Sequence, residues 1–134
     1  MSISAEQKKE LVRIAKQVRK WAYVPYSKYP VGAALLTESG RIYEGVNVEN
    51  AAFPVTNCAE RTAIFTAVTN GEKDFQAIAI VTENGGMPCG ACRQVMAEFS
   101  PNMLVIVADE EENIVAEQKL SELLPGAFTP KDLK

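Results

Sequence analysis

The chain has 134 residues, 47% hydrophobic and 23% charged, the length and balance of one soluble domain that buries a single core without disulfides or metal. Its net charge is −3, with lysines and arginines scattered except for a cluster near the N-terminus, which argues against a nucleic-acid polymer as partner, because such binding concentrates cations on one surface. The apolar runs VGAALLT, AIAIVT and MLVIVAD fall short of the about 20 residues that cross a bilayer, and MSISAEQKKELVRIAKQ lacks the apolar block of a secretory signal, so a cytoplasmic protein independent of membranes is expected.

Ser4 followed by Gln7 fits a capping box, and Leu11, Ile14, Ala15, Val18, Trp21 and Ala22 recur at helical spacing. A first helix from about Ala5 to Tyr23 is expected, its basic residues forming a solvated face. Two prolines in VPYSKYP break it, and VGAALLT and RIYEGVNVE then flank the turn ESG as a β-hairpin. The remaining order is a helix from about Cys58 to Asn70, a strand FQAIAIVT, a helix from about Gly90 to Phe99, a strand MLVIVAD, a strand NIVAEQ and a short helix LSELL. Strands linked through helices run parallel and hairpin strands antiparallel, so the expected fold is α/β, a three-layer α/β/α sandwich around a mixed five-stranded sheet, with residues 1–134 forming one domain.

Chemistry concentrates in TNCAERTAIF and MPCGACRQ. Each places cysteine at a helix start, beyond the carboxyl end of a strand, where free N–H groups and the helix dipole stabilise thiolates. With three cysteines and no histidine in the chain, any soft-metal site must be built from sulfur alone. Three thiolates leave the fourth position of zinc open, as catalytic sites do, whereas a closed structural site needs a fourth side-chain ligand. A C-x-x-C redox pair needs no third cysteine, and inert buried cysteines explain any one position but not three at helix starts. Glu60, two residues after Cys58, is accounted for by dipole complementarity alone; beside an open metal site it is better read as a general base and then a general acid.

CAER with PCGAC, preceded by NVENAA and closed by LLPGAF, resembles the cytidine deaminases of the short, homotetrameric kind, and the similarity runs along nearly the whole chain. Zinc deaminases with three cysteine ligands, a non-ligand glutamate and a P-C-x-x-C signature are a known class. The resemblance implies a cytidine deaminase-like fold, one Zn²⁺ per chain held by Cys58, Cys89 and Cys92, and Glu60 as the proton shuttle. It implies that Asn47 and Glu49 hold the ribose hydroxyls and that Ala59 and Tyr29 border the substrate, Tyr29 standing where the family usually has Phe. Phe128 matches an aromatic that reaches into a neighbouring subunit's pocket, although a lone Phe near a terminus also serves to anchor the tail. Arg61 matches an arginine that contacts the ligand sulfurs and offsets their charge, although it also fits an exposed helix arginine. The implied activity is hydrolytic deamination of cytidine and deoxycytidine, a step of pyrimidine salvage. Deamination of a related small molecule such as blasticidin S is the alternative. A polynucleotide-editing deaminase is disfavoured by the acidic balance and the NVEN motif, and a non-catalytic zinc module by Glu60.

Overall fold

The computed structural model describes residues 3–133. Helix α1 (Ala5–Val18) starts at Ser4, whose hydroxyl accepts from the Gln7 backbone N–H while the Gln7 side chain accepts from the Ser4 backbone N–H, the reciprocal pairing expected of this spacing. The helix is shorter than its apolar periodicity implies. It tightens into a 3₁₀ turn over Arg19–Trp21, because the Tyr23 backbone is taken by the segment around Val48: Tyr23 N–H donates to Asn47 O, and Tyr23 O accepts from Glu49 N–H. Trp21, expected on the buried stripe, is 71% exposed as a result.

The chain continues through β1 (Gly32–Thr37), β2 (Ile42–Val46), α2 (Ala59–Thr69), β3 (Phe75–Val81), α3 (Gly90–Phe99), β4 (Leu104–Ala108), β5 (Ile114–Lys119) and α4 (Leu120–Leu123). The strands form one sheet in the order β2-β1-β3-β4-β5, parallel between β3 and β4 and antiparallel elsewhere. This is the mixed five-stranded sheet that the element order predicts.

Both faces are covered, so β1, β3 and β4 read as nearly unbroken apolar runs. Because successive side chains alternate across a strand, Ala34, Leu36, Ala77, Ala79 and Ile106 meet Leu11, Val12 and Ala15 of α1. Leu35, Ile78, Ile80, Val105 and Val107 meet Ala63, Ile64 and Met96 of α2 and α3 on the other face. Ile64, Ile78 and Met96 are fully buried, each burial contributing about 1.5–3 kcal/mol and seating these helices on the sheet.

Register decides where the loops meet. Gly32 at the start of β1 lies opposite both Val46 at the end of β2 and Val81 at the end of β3. The segment entering β1, the segment leaving β2 and the loop leaving β3 therefore converge at one end of the sheet, and α2 and α3 begin there.

Gly45 lies under the first turn of α2: a Cβ on it would stand 2.4 Å from Ala59 O and 2.5 Å from Ala63 N. These are backbone atoms that cannot rotate aside. Gly45→Ala is therefore expected to lower stability by about 1–3 kcal/mol through overpacking, read as an earlier denaturant midpoint, and to disturb the helix start that carries Cys58 and Glu60. A midpoint equal to wild type would show that α2 does not depend on this close approach.

Candidate active site

Cys58 precedes α2 and Cys89 precedes α3, both in extended backbone at the N-cap, and neither side chain caps its helix among the described residues. At such positions Ser, Thr, Asp or Asn normally turns its oxygen back onto the first free N–H groups. Here the sulfurs turn toward one another. Cys92 follows in the first turn of α3 and is buried. Cys58 Sγ lies 4.0 Å from Cys89 Sγ, Cys89 Sγ lies 3.4 Å from Cys92 Sγ, and all three fall within 4.8 Å of one another. Tetrahedral Zn–S bonds of about 2.3 Å put sulfurs about 3.8 Å apart, and the observed separations bracket that value. All three thiols are free, so the residues fit one zinc ion.

The surrounding charges suit an anionic sulfur cluster. The Arg61 guanidinium donates through Nη2 to Cys58 Sγ at 3.2 Å, and its Nε is buried with no hydrogen-bond partner among the described residues. Pairing with Cys92 and the Arg61 guanidinium hold the Cys58 thiol well below its usual value. The same pairing with Cys58, together with burial and the nearby Glu60 carboxylate, pushes Cys92 up. Glu60 is 4% exposed, the one buried charged side chain among the described residues. Burial pushes its carboxyl up to about 7, with the Cys58 charge acting in the same direction. A carboxyl poised near neutrality can both take and give a proton.

Glu60, Cys58, Cys89 and Ala59 line a cavity of about 280 Å³, a size for a small molecule rather than a polymer strand. A larger hollow of about 390 Å³ beside Leu120, Leu124 and Lys131 contains neither a sulfur nor a buried carboxylate. Asn47, Glu49 and Tyr29 line the same cavity as Glu60. Asn47 bridges the strand entrance, accepting from Val31 N–H and donating to Tyr29 O, both at 2.9 Å; one amide N–H and one carbonyl lone pair stay free for a ligand. Glu49 accepts from the Tyr26 and Ser27 backbone N–H groups at 3.0 and 3.1 Å and from the Ser27 hydroxyl. Hydrogen bonding to Ser27 leads the effects that hold its carboxyl below the usual range. Phe128 is not brought to the cavity: it is 58% exposed, and its carbonyl accepts from Gln94 at 2.7 Å.

Several supporting residues escape a reading of the sequence. Arg93 donates through Nε to Pro88 O at 2.9 Å and through Nη1 to Leu123 O at 3.0 Å, tying the turn before Cys89 to the C-terminal segment. Thr62 ties Asn57, Val46 and Cys58 together at the start of α2. Ser27 orients Glu49 from 22 positions away in sequence. Thr62 and Arg93 lie within the two cysteine segments, but neither is a metal-ligating or proton-carrying type. The only signal for Arg93 is its place directly after Cys92.

Residues 5–108 match the family model for the cytidine and deoxycytidylate deaminase zinc-binding region. The chain is 50% identical over 126 residues to a cytidine deaminase of Sporosarcina psychrophila, covering 92% of this chain and 93% of the relative. It is 50% identical over 125 residues to one of Halalkalibacterium halodurans, covering 92% and 95%. Its fold matches the crystal structure of cytidine deaminase from Burkholderia pseudomallei with a TM-score of 0.86 at 42% identity, over 94% of this chain and 100% of that one. A match that runs from the start of α1 to the end of β4, with half of all positions identical along nearly the full length of both relatives, makes the chain a member of the cytidine and deoxycytidylate deaminase family.

Proposed function

We propose that this protein hydrolytically deaminates cytidine and deoxycytidine to uridine and deoxyuridine with release of ammonia, as a cytoplasmic enzyme of pyrimidine salvage whose residues 1–134 act as one catalytic domain. The observation that carries the reading is a buried carboxylate, Glu60, in a small-molecule cavity that it shares with Cys58 and Cys89.

One Zn²⁺ per chain, held by Cys58, Cys89 and Cys92, supplies the Lewis acidity that makes water nucleophilic near neutral pH. Glu60 takes a proton from the attacking water and gives it to N3 of the pyrimidine, then takes the remaining proton of the hydroxyl now on C4 and gives it to the amine, which leaves as ammonia while C4 becomes a carbonyl. Asn47 and Glu49 hold the ribose hydroxyls, while Ala59 and the ring of Tyr29 border the nucleoside. Arg61 offsets the net negative charge that three thiolates leave on a divalent cation. The acidic chain and the small cavity support a free nucleoside over a polynucleotide, and no helix among the described residues is long and apolar enough to cross a membrane. The direct test is loss of cytidine ultraviolet absorbance with matching ammonia release; conversion of blasticidin S but not of cytidine would assign the alternative substrate.

The metal is expected at about one zinc per chain, with X-ray absorption fitted by sulfur and no nitrogen ligand. Cys89→Ala and Cys92→Ala are expected to lose it during purification, while Arg61→Gln retains it but releases it faster to a chelator. Nitrogen in the coordination shell would overturn the ligand assignment.

Glu60→Gln keeps the shape and the hydrogen-bonding capacity of the side chain but cannot carry a proton. The expected result is a folded protein with full zinc content and a kcat lower by about 10²–10⁴-fold. Retention of a tenth of wild-type turnover would remove Glu60 from the shuttle role.

The assembly read from family resemblance is a homotetramer in which Phe128 of a neighbouring subunit closes the pocket; its exposure in this chain supports a role outside its own cavity. Light scattering is expected to give four chain masses, and Phe128→Ala to raise KM without changing that mass. A monomer with full activity would contradict both points.

A further inference from the structure

Tyr29 occupies a crossing point, and its hydroxyl has no part in the proposed reading, which uses only the ring. Its backbone N–H donates to Ser27 Oγ at 3.0 Å, and its carbonyl accepts from Asn47 Nδ2 at 2.9 Å. Ser27 in turn donates to Glu49. The same short segment thus holds both side chains assigned to the ribose. From there the Tyr29 phenol donates to Asn84 Oδ1 at 2.7 Å. Asn84 lies on the loop that leaves β3 at Val81 and enters α3 at Cys89.

The ends of that loop are tied by Thr82 N–H to Ala108 O at 3.2 Å and by Arg93 Nε to Pro88 O at 2.9 Å, and between them it has few hydrogen bonds among the described residues. Gly85 has φ +76° and Gly86 follows it, so ordering this stretch costs more conformational entropy than ordering most sequences. Near the middle it is tied by Gly86 N–H to Thr82 Oγ1 at 2.8 Å. Gly86 also makes room for the phenol: a Cβ there would stand 2.7 Å from Tyr29 Oη, while the next atoms, Tyr29 Cζ and Asn84 Oδ1, would be at 3.8 and 3.9 Å. The conflict is with the hydroxyl alone.

We infer that Tyr29 is a positioning residue whose hydroxyl latches the β3–α3 loop to the ribose-holding segment, with Asn84 as its acceptor and Gly86 leaving the space it occupies. The inference rests on the proposed nucleoside pocket. The latch orders Gly86 and Met87, both of which line the cavity, before substrate arrives, so binding does not bear the cost of ordering them. Glu60 and the cysteines are seated on α2 and α3, which hold their places without it. The latch therefore acts on nucleoside affinity and not on the proton steps.

Tyr29→Phe keeps the ring and removes only the hydroxyl. It is expected to raise KM for cytidine about three- to tenfold, the worth of one hydrogen bond, with kcat changing less than about twofold. Asn84→Ala should do the same, and the double variant should be no worse than either single one, because both remove one interaction. Asn84→Asp, which still accepts from the phenol, should restore KM toward wild type. Gly86→Ala should lower the melting temperature in the Tyr29 protein and much less in the Tyr29→Phe background. A wild-type KM in Tyr29→Phe, multiplicative effects in the double variant, or an equal melting shift in both backgrounds would each overturn the latch. If wild type leaves cytidine unchanged, the proposed function fails, and the two melting shifts still decide whether the phenol and Gly86 are coupled.

Discussion

Three sulfurs and a carboxylate packed into one small volume repel one another, and the architecture is organised around that repulsion. Two devices oppose it. The first is the pair of helix N-termini: Cys58 and Cys89 sit at the N-caps of α2 and α3, where unpaired N–H groups and the aligned peptide dipoles place partial positive charge beside the sulfurs. The second is Arg61, whose planar fork lies against Cys58 with one nitrogen buried and unpaired among the described residues. A divalent metal completes the compensation. Burial and the Cys58 charge push the Glu60 carboxyl up to about 7, and the Arg61 guanidinium acts in the opposite direction.

Bringing two helix starts to one point is the work of the sheet. The pairing of Gly32 with both Val46 and Val81 makes β2 and β3 end level with each other on either side of β1, and α2 and α3 start from that end. The close approach of the helices depends on small residues. Gly45 admits the first turn of α2, and Gly32 admits α1 on the opposite face, where a Cβ would meet Ala15 O at 2.0 Å. Glu60 and the cysteines thus ride on or at the starts of helices locked to a core of Leu35, Ile64, Ile78 and Met96, while Tyr29, Asn47 and Glu49, which line the same cavity, sit on connecting segments held by specific hydrogen bonds. Side chains carried on helices are held more precisely than those on connecting loops.

Much of the fold was legible along the chain because its local signals agree. The Ser4 and Gln7 capping box, the proline break after Val24, the hairpin turn ESG and the apolar runs of β3 and β4 each point to the element that forms. The end of α1 was misread because periodicity describes a helix in isolation. Nothing local announces that the Tyr23 backbone pairs with Val48, a contact that draws the chain out of the helix and leaves Trp21 in solvent.

The sequence by itself determined which chemistry is available: with no histidine and three cysteines, a soft-metal site must be sulfur-based, and Glu60 is a carboxylate two residues after one of them. Spacing placed each of those groups at a helix start. Only the tertiary structure decided that the three sulfurs meet within 4.8 Å, that Glu60 is buried enough to titrate near 7, and that Ser27, Tyr29 and Asn84 brace the cavity. The physical reason is the range of the interactions. Helix capping and alternation are set by neighbours a few residues apart, whereas burial and convergence depend on strand register, which brings together segments as distant as Tyr29 and Asn84 and is the outcome of packing the whole core.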